Sequence, residues 1–163
     1  MDKQWYVIYT KPKNEKKVNQ RLVDKNIQTF LPLQKTLRQW SDRKKKVEIP
    51  VFSSYLFVRI DIKHKYDVLE TNGVVRFVNY LGKPAIVREH EIEAIRFLLN
   101  NYTEIKAESL AIGSRLEIKA GTLKGNTGIV VKHKNGSVSL ALENLGYQLI
   151  ASIPVNQIAL AAF

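Results

Sequence analysis

Catalysis and metal binding require particular side chains at particular spacings, and this chain presents candidates only one at a time. Its three histidines, His64, His90 and His133, lie in lysine- or glutamate-rich segments, and none has a second ligand at metal-binding spacing. Cysteine is absent, which removes disulfides, thiolate zinc sites and cysteine nucleophiles together. Glu89, Glu91 and Glu93 cluster at the start of a predicted helix, where acidic side chains interact favourably with the positive end of the dipole. Ser53 and Ser54, beside Tyr55, have no base nearby in sequence and no nucleophile elbow around them. The run GTLKGNTG at 121–128 lacks the Gly-Lys-Ser/Thr ending of a phosphate-binding loop. The sequence therefore points away from an enzyme and predicts neither a metal nor a cofactor.

Binding chemistry is better represented. Tyr9, Phe52, Tyr55 and Phe57 fall in or beside predicted strands, and as a set they exceed what one small core needs. They predict an apolar platform on one sheet face, with tyrosine suited to an interface because its ring is apolar and its tip polar. Phe57 by itself fits a core position equally well. The second feature is charge. The formal net charge is +11, and residues 1–46 hold 13 basic and 4 acidic residues against 13 and 11 in residues 47–163. A basic excess concentrated in one third of the chain attracts polyanions, because neutralising phosphates releases condensed counterions. No amphipathic membrane helix accompanies it, the apolar run Trp5–Tyr9 is too short for a signal-peptide core, and no stretch approaches a membrane span. These features predict a soluble, cytoplasmic, monomeric protein with no membrane partner.

Positioning such residues requires a sheet. Trp5–Tyr9 is aromatic and β-branched and predicts a strand ended by Pro12. Asn14 is placed to cap a helix running to about Lys25, with Val18 and Leu22 on one face and Lys16, Lys17, Gln20, Arg21 and Lys25 on the other. Phe30–Leu33 reads as a short extended piece, and residues 35–50 as a hairpin with its tip at 41–43 and a basic arm, Arg43–Lys46. Between Pro50 and Asp61 lies a strand apolar on both faces, hence buried on both. Residues 65–73 predict a short helix ending at Asn72-Gly73, residues 74–87 a hairpin turning at Gly82, and Glu89–Asn100 a helix burying Ile92, Ile95 and Leu99.

From about residue 101 the composition changes, and only short strands follow, at 115–119, 127–132, 137–142, 147–153 and 157–160. Asn135-Gly136 is the strongest turn signal. Five strands without crossover helices suggest a small closed barrel, since closure removes exposed edges. The expected architecture is α+β: an antiparallel sheet with flanking helices over residues 1–101, a linker over 102–110, and a barrel over 111–163.

Four stretches then carry a resemblance. WYVIYTKPKNEKKV at 5–18, PVFSSYLFVRI at 50–60, NGVVRFV at 72–78 and KPAIV at 83–87 resemble the N-terminal (NGN) domain of the NusG family. IGSRLEIKAGTLKGNTGIVV at 112–131 resembles a KOW motif, whose turn would use Gly121, Gly125 and Gly128. Order, spacing and both domains match over nearly the whole chain. WYVIYTK, SYLFV and KPAIV look closer to the specialised RfaH-like and UpxY-like antiterminators than to general NusG. Where general members have Phe-Pro-Gly-Tyr this chain has Phe52-Ser53-Ser54-Tyr55, and in place of Ile-Phe-Gly-Arg it has Asn144-Leu145-Gly146-Tyr147.

The resemblance implies a transcription elongation factor that binds RNA polymerase and modulates pausing or termination, as an operon-specific antiterminator. It implies docking of Tyr9, Phe52, Tyr55 and Phe57 on the clamp helices of the largest polymerase subunit. It further implies contact of Lys11, Lys17, Arg21, Thr71 and Asn72 with the non-template DNA strand; Arg43, Lys44, Lys45 and Lys46 join them from charge alone. The KOW domain would meet Rho or a small-subunit ribosomal protein. The alternatives are a general NusG-type pause or termination factor and a ribosome-associated KOW protein binding RNA.

Overall fold

The computed structural model describes residues 2–101, 103–109, 129–133, 137–142 and 147–152. They fall in two compact units, one comprising Met1–Pro32 and Phe52–Glu89, the other Leu33–Val51 and His90–Phe163.

The first unit is built on a five-stranded antiparallel sheet. Its central strand β1, Gln4–Thr10, pairs on one side with β5, Tyr55–Ile60, which in turn pairs with the edge strand β2, Gln28–Phe30. The other side of β1 is shared by β6, Val74–Phe77, and β9, Ile86–Val87. The β1/β5 register places Tyr6 opposite Val58, Ile8 opposite Leu56 and Tyr9 opposite Tyr55. Because side chains alternate across a strand, Tyr6, Ile8, Leu56, Val58 and Ile60 share one face. Onto that face pack Val18 and Leu22 of helix α1, Glu15–Asp24, and Val68 of the short helix α2, Lys65–Leu69, with Phe77 beside them. Each fully buried Val, Leu or Ile there contributes roughly 1.5–3 kcal/mol. Burial, with the negative charge of Asp61 second, raises the Tyr6 hydroxyl above its ordinary pKa.

The helix expected from Asn14 is present, but Asn14 does not cap it. Its side-chain amide donates to the carbonyl of Pro12 at 3.1 Å, and no side-chain capping bond forms. The strand expected from Pro50 begins at Tyr55, because Ser54 adopts a left-handed backbone, φ 65°, and turns the chain. The expected hairpin over 74–87 is broken into pieces. β6 and β9 run along β1, while β7, Asn79–Tyr80, and β8, Lys83–Pro84, form a small ribbon between them. Leu81 and Gly82 turn that ribbon with φ of 50° and 77°, the left-handed pair that a tight hairpin of this hand requires.

The second unit contains a hairpin of β3, Leu33–Gln39, and β4, Lys44–Pro50, paired from Leu33↔Pro50 to Gln39↔Lys44. It also contains most of helix α3, Glu89–Asn101, which buries Ile92, Ala94, Ile95 and Leu98. Leu99, expected on that stripe, is only half-buried; helical periodicity allows either of two adjacent leucines, and packing selects Leu98. The expected linker contains a strand, β10, Thr103–Ser109, in which Ile105 is buried and Lys106 exposed. The Ile105 N–H donates to Gln34 Oε1 at 3.0 Å. No Gly or Pro interrupts this stretch, and its polar and apolar residues alternate, so it can extend.

β10 pairs with β13, Tyr147–Ser152, which pairs with β12, Ser137–Leu142, which pairs with β11, Ile129–His133. The result is a four-stranded antiparallel sheet ordered β10-β13-β12-β11. The expected strands at 115–119 and 157–160, the Asn135-Gly136 turn, Gly121, Gly125 and Gly128, and closure into a barrel lie outside the described residues. Among the described residues, no helix is long and apolar enough to cross a membrane.

Candidate partner-binding and nucleic-acid surfaces

The four aromatics expected as one platform divide into a surface pair and a buried pair. Tyr9 and Tyr55 lie opposite each other on β1 and β5, half-buried, with ring centroids 5.5 Å apart and planes at 81°. Edge-to-face geometry suits rings whose faces are negative and edges positive. Arg76 of β6, opposite Tyr9, extends the ladder, its guanidinium carbon 5.6 Å from the Tyr9 ring. Arg76 itself is exposed. The three side chains form a strip that is apolar in its bodies and polar at its tips.

Phe52 and Phe57 sit deeper. Phe57 has no exposed surface and Phe52 has 3%. Their centroids lie 5.8 Å apart, and Phe30, from β2, approaches Phe57 at the same distance. A side chain with no exposed surface offers none to a partner in this conformation. Farther along the same face Trp5 is buried and its indole N–H donates to Glu89 Oε2 at 3.0 Å; Arg59 lies 3.6 Å from that oxygen.

The turn before Tyr55 is held by an interaction that the sequence did not reveal. The buried Glu15 carboxylate accepts from the Ser54 N–H at 2.8 Å, while the Ser54 carbonyl accepts from the Thr10 N–H at 2.8 Å. A left-handed non-glycine residue costs roughly 1–2 kcal/mol, and these bonds hold Ser54 in that conformation. The turn is thereby fixed to both α1 and β1, which sets where Tyr55 starts its strand. Only Ser54, at the position where the family pattern has glycine, hinted at the conformation.

A second cluster gathers residues distant in sequence around the turn after α2. Arg21 Nη1 donates to the Asn72 carbonyl at 2.7 Å, and the Lys11 N–H donates to the Gly73 carbonyl at 2.9 Å. Lys25 Nζ donates to Thr71 Oγ1 and to the Asp67 carbonyl, both at 3.0 Å, and Thr71 Oγ1 also donates to that carbonyl at 3.0 Å. Lys11, Lys17 and Asn72 are exposed and Arg21 is half-buried, so four of the five expected nucleic-acid residues here present surface. Thr71 is buried at 3% and holds the turn's shape. The helical pattern places Lys25 as one more charge on an exposed face; the fold makes it the tie between α1 and this turn.

Gly73 is the pivot of the cluster. Its φ is 97°, and a Cβ there would lie 2.6 Å from Val18 Cγ2 and 3.5 Å from Arg21 Nη1. Gly73→Ala is expected to cost about 1–3 kcal/mol through overpacking and backbone strain, read as a lower thermal midpoint. A midpoint equal to the parent's would show that α1 moves aside freely.

The third surface is the β3–β4 hairpin. Arg43, Lys44, Lys45 and Lys46 are all exposed, as are Arg38 and Trp40. Among the described residues, none of the five basic side chains makes an ion pair. No group of three or more His, Asp or Glu is arranged to hold a metal ion among the described residues either.

The family model described as "Transcription termination factor nusG" matches residues 3–96. A protein of Streptococcus pyogenes serotype M3, named "Transcription termination/antitermination protein NusG", is 27% identical over 172 residues, covering 97% of this chain and 96% of the relative. The protein of the same name from Chlamydia trachomatis is 27% identical over 158 residues, covering 87% and 86%. Among solved structures, one titled "Domain interaction in Thermotoga maritima NusG" superposes with a TM-score of 0.50 at 16% identity, covering 93% of this chain and 94% of that one, a likeness of fold.

Proposed function

The chain belongs to the NusG family, and on that footing we propose that it is a transcription elongation factor that binds RNA polymerase and modulates pausing and termination. The observation that carries this reading is the Tyr9–Tyr55–Arg76 strip. It is a half-exposed aromatic ladder running across the neighbouring strands β5, β1 and β6, within the segment that the family model covers. In this reading Tyr9 and Tyr55 dock on the clamp helices of the largest polymerase subunit, and Phe52 and Phe57 set their height and tilt from below. Lys11, Lys17, Arg21 and Asn72 face the non-template strand, with Thr71 holding their turn in shape.

The mechanism needs no covalent chemistry. A factor that touches both sides of the polymerase cleft binds the closed clamp more tightly than the open one. It shifts the population toward the elongating state by its difference in affinity and by no more than that. Within the family we assign this chain to the factors that serve particular operons, on the strength of Ser53-Ser54 in place of Pro-Gly and of the likeness of WYVIYTK, SYLFV and KPAIV to the specialised branch. A general pause or termination factor is the second reading. The C-terminal strands would supply the tether to Rho or to a small-subunit ribosomal protein.

A pull-down of the tagged full chain from native lysate after nuclease treatment is expected to retain RNA polymerase. Recovery of ribosomal components without polymerase would replace this reading with that of an RNA-binding protein of the ribosome. Mapping chromosomal occupancy then separates the two family readings. Occupancy confined to a few operons supports a specialised factor, and occupancy that follows polymerase over most transcribed genes supports a general one.

A further inference from the structure

We propose that the β3–β4 hairpin is a single-strand nucleic-acid arm in which the Trp40 indole stacks on an unpaired base while Arg38, Arg43 and Lys45 hold the phosphates around it. This rests on the nucleic-acid part of the function proposed above; it adds the class of ligand and the residue that reads it.

Trp40 is placed at the tip by the hairpin's own ladder. Its N–H donates to the Arg43 carbonyl at 2.8 Å, extending the pairing beyond Gln39↔Lys44. The indole is 55% exposed, whereas the only other tryptophan, Trp5, is 2% exposed. A large apolar ring left in water at the end of an arm gains nothing for the fold. Alternation along β3 puts Arg38 on the same face as Trp40, and the register pairs Arg38 with Lys45. Lys45 Nζ lies 5.9 Å from the indole centroid, so cations already border the ring. Leu37, 61% exposed, falls on the opposite face by the same alternation, beside its partner Lys46.

This arrangement separates the possible ligands. A protein partner is best served by a contiguous apolar patch, and here the two exposed apolar side chains point to opposite faces, each bordered by basic residues. A polyanion with aromatic rings uses both elements at once, since every base has a π-face and every linkage a phosphate. Stacking requires that face to be uncovered, as in a single strand; in a duplex it is buried between neighbouring pairs. The narrow, two-sided exposed tip suits a strand passing across it.

The test uses the full chain, an oligothymidine of about fifteen nucleotides and a duplex of equal length. The single strand is expected to bind more tightly than the duplex and to quench indole emission, with the quenching lost in Trp40→Phe because the remaining Trp5 is buried. Trp40→Ala is expected to weaken oligothymidine binding about 5- to 150-fold, the range for removing one base–aromatic stack. The slope of log affinity against log salt should stay as in the parent. Replacing Arg43, Lys44, Lys45 and Lys46 together by alanine should flatten that slope, by about 0.7 for each phosphate no longer neutralised. Unchanged affinity in Trp40→Ala with a clear loss in the quadruple variant would overturn the stacking role and leave the nucleic-acid reading standing. No loss in either variant would overturn both, and tighter binding to the duplex would overturn the single-strand assignment.

Discussion

Alanine at both Tyr9 and Tyr55 is expected to lower affinity for RNA polymerase by about 30-fold or more, the effect of removing at least one interface hot spot of 2 kcal/mol. The two rings touch edge to face at 5.5 Å and lie on paired strands, so their losses will not add. Each single variant should account for most of the double variant's loss, because the remaining ring is left without the neighbour that fixes its tilt. Both residues are half-buried, so the fold should survive with a much smaller drop in thermal midpoint than a buried aromatic's loss would cause. Titration of the variants against purified polymerase is the measurement. An affinity within about threefold of the parent's would place the docking surface elsewhere.

The second large effect is on stability. Phe57→Ala is expected to destabilise the protein by about 3–5 kcal/mol, the usual range for emptying a buried phenylalanine site, and to lower the thermal midpoint by roughly 10 °C or more. The reason is local. Phe57 is wholly buried, and the rings of Phe30 and Phe52 both lean on it at 5.8 Å. Neither neighbour can fill the void, because each approaches from a different element at a different angle. Phe57→Leu, which keeps most of the volume, should cost less than about 1.5 kcal/mol. Its polymerase affinity should stay near the parent's wherever the chain is folded. The contrary pattern, a Phe57→Ala variant with the parent's midpoint and no polymerase binding, would return Phe57 to the contact surface.

Some of this was legible in the residues and some was not. Strand β1 was readable because five consecutive aromatic and β-branched residues have few alternatives, and α1 because Val18 and Leu22 recur at helical spacing. The β3–β4 hairpin was readable because its composition turns polar and basic between two apolar ends. The pieces of 74–87 were not, because β6 and β9 are defined by the edge of β1 and carry no strand pattern of their own length. Strand β10 was hidden for a related reason. Its alternation covers only a few residues, and its extended form is completed by pairing with β13, whose residues come far later in the chain.

Sequence by itself determined the types of chemistry available: no thiol, no paired metal ligands, an aromatic set in the strands and a concentration of basic charge in the first third. These are properties of composition and order, and folding cannot add to them. Only the tertiary structure decided which of those residues are exposed to a partner. Tyr55 and Phe57 are two apart on one strand and point to the same face, yet one is half-exposed and the other sealed. Thr71 and Asn72 are adjacent, and one is sealed beneath Lys25 while the other faces out. Alternation assigns a side chain to a face, but exposure depends on what covers that face at that point. For Phe57 and Thr71 that covering includes Phe30 and Lys25, both more than 25 residues away in the chain, which no local pattern specifies.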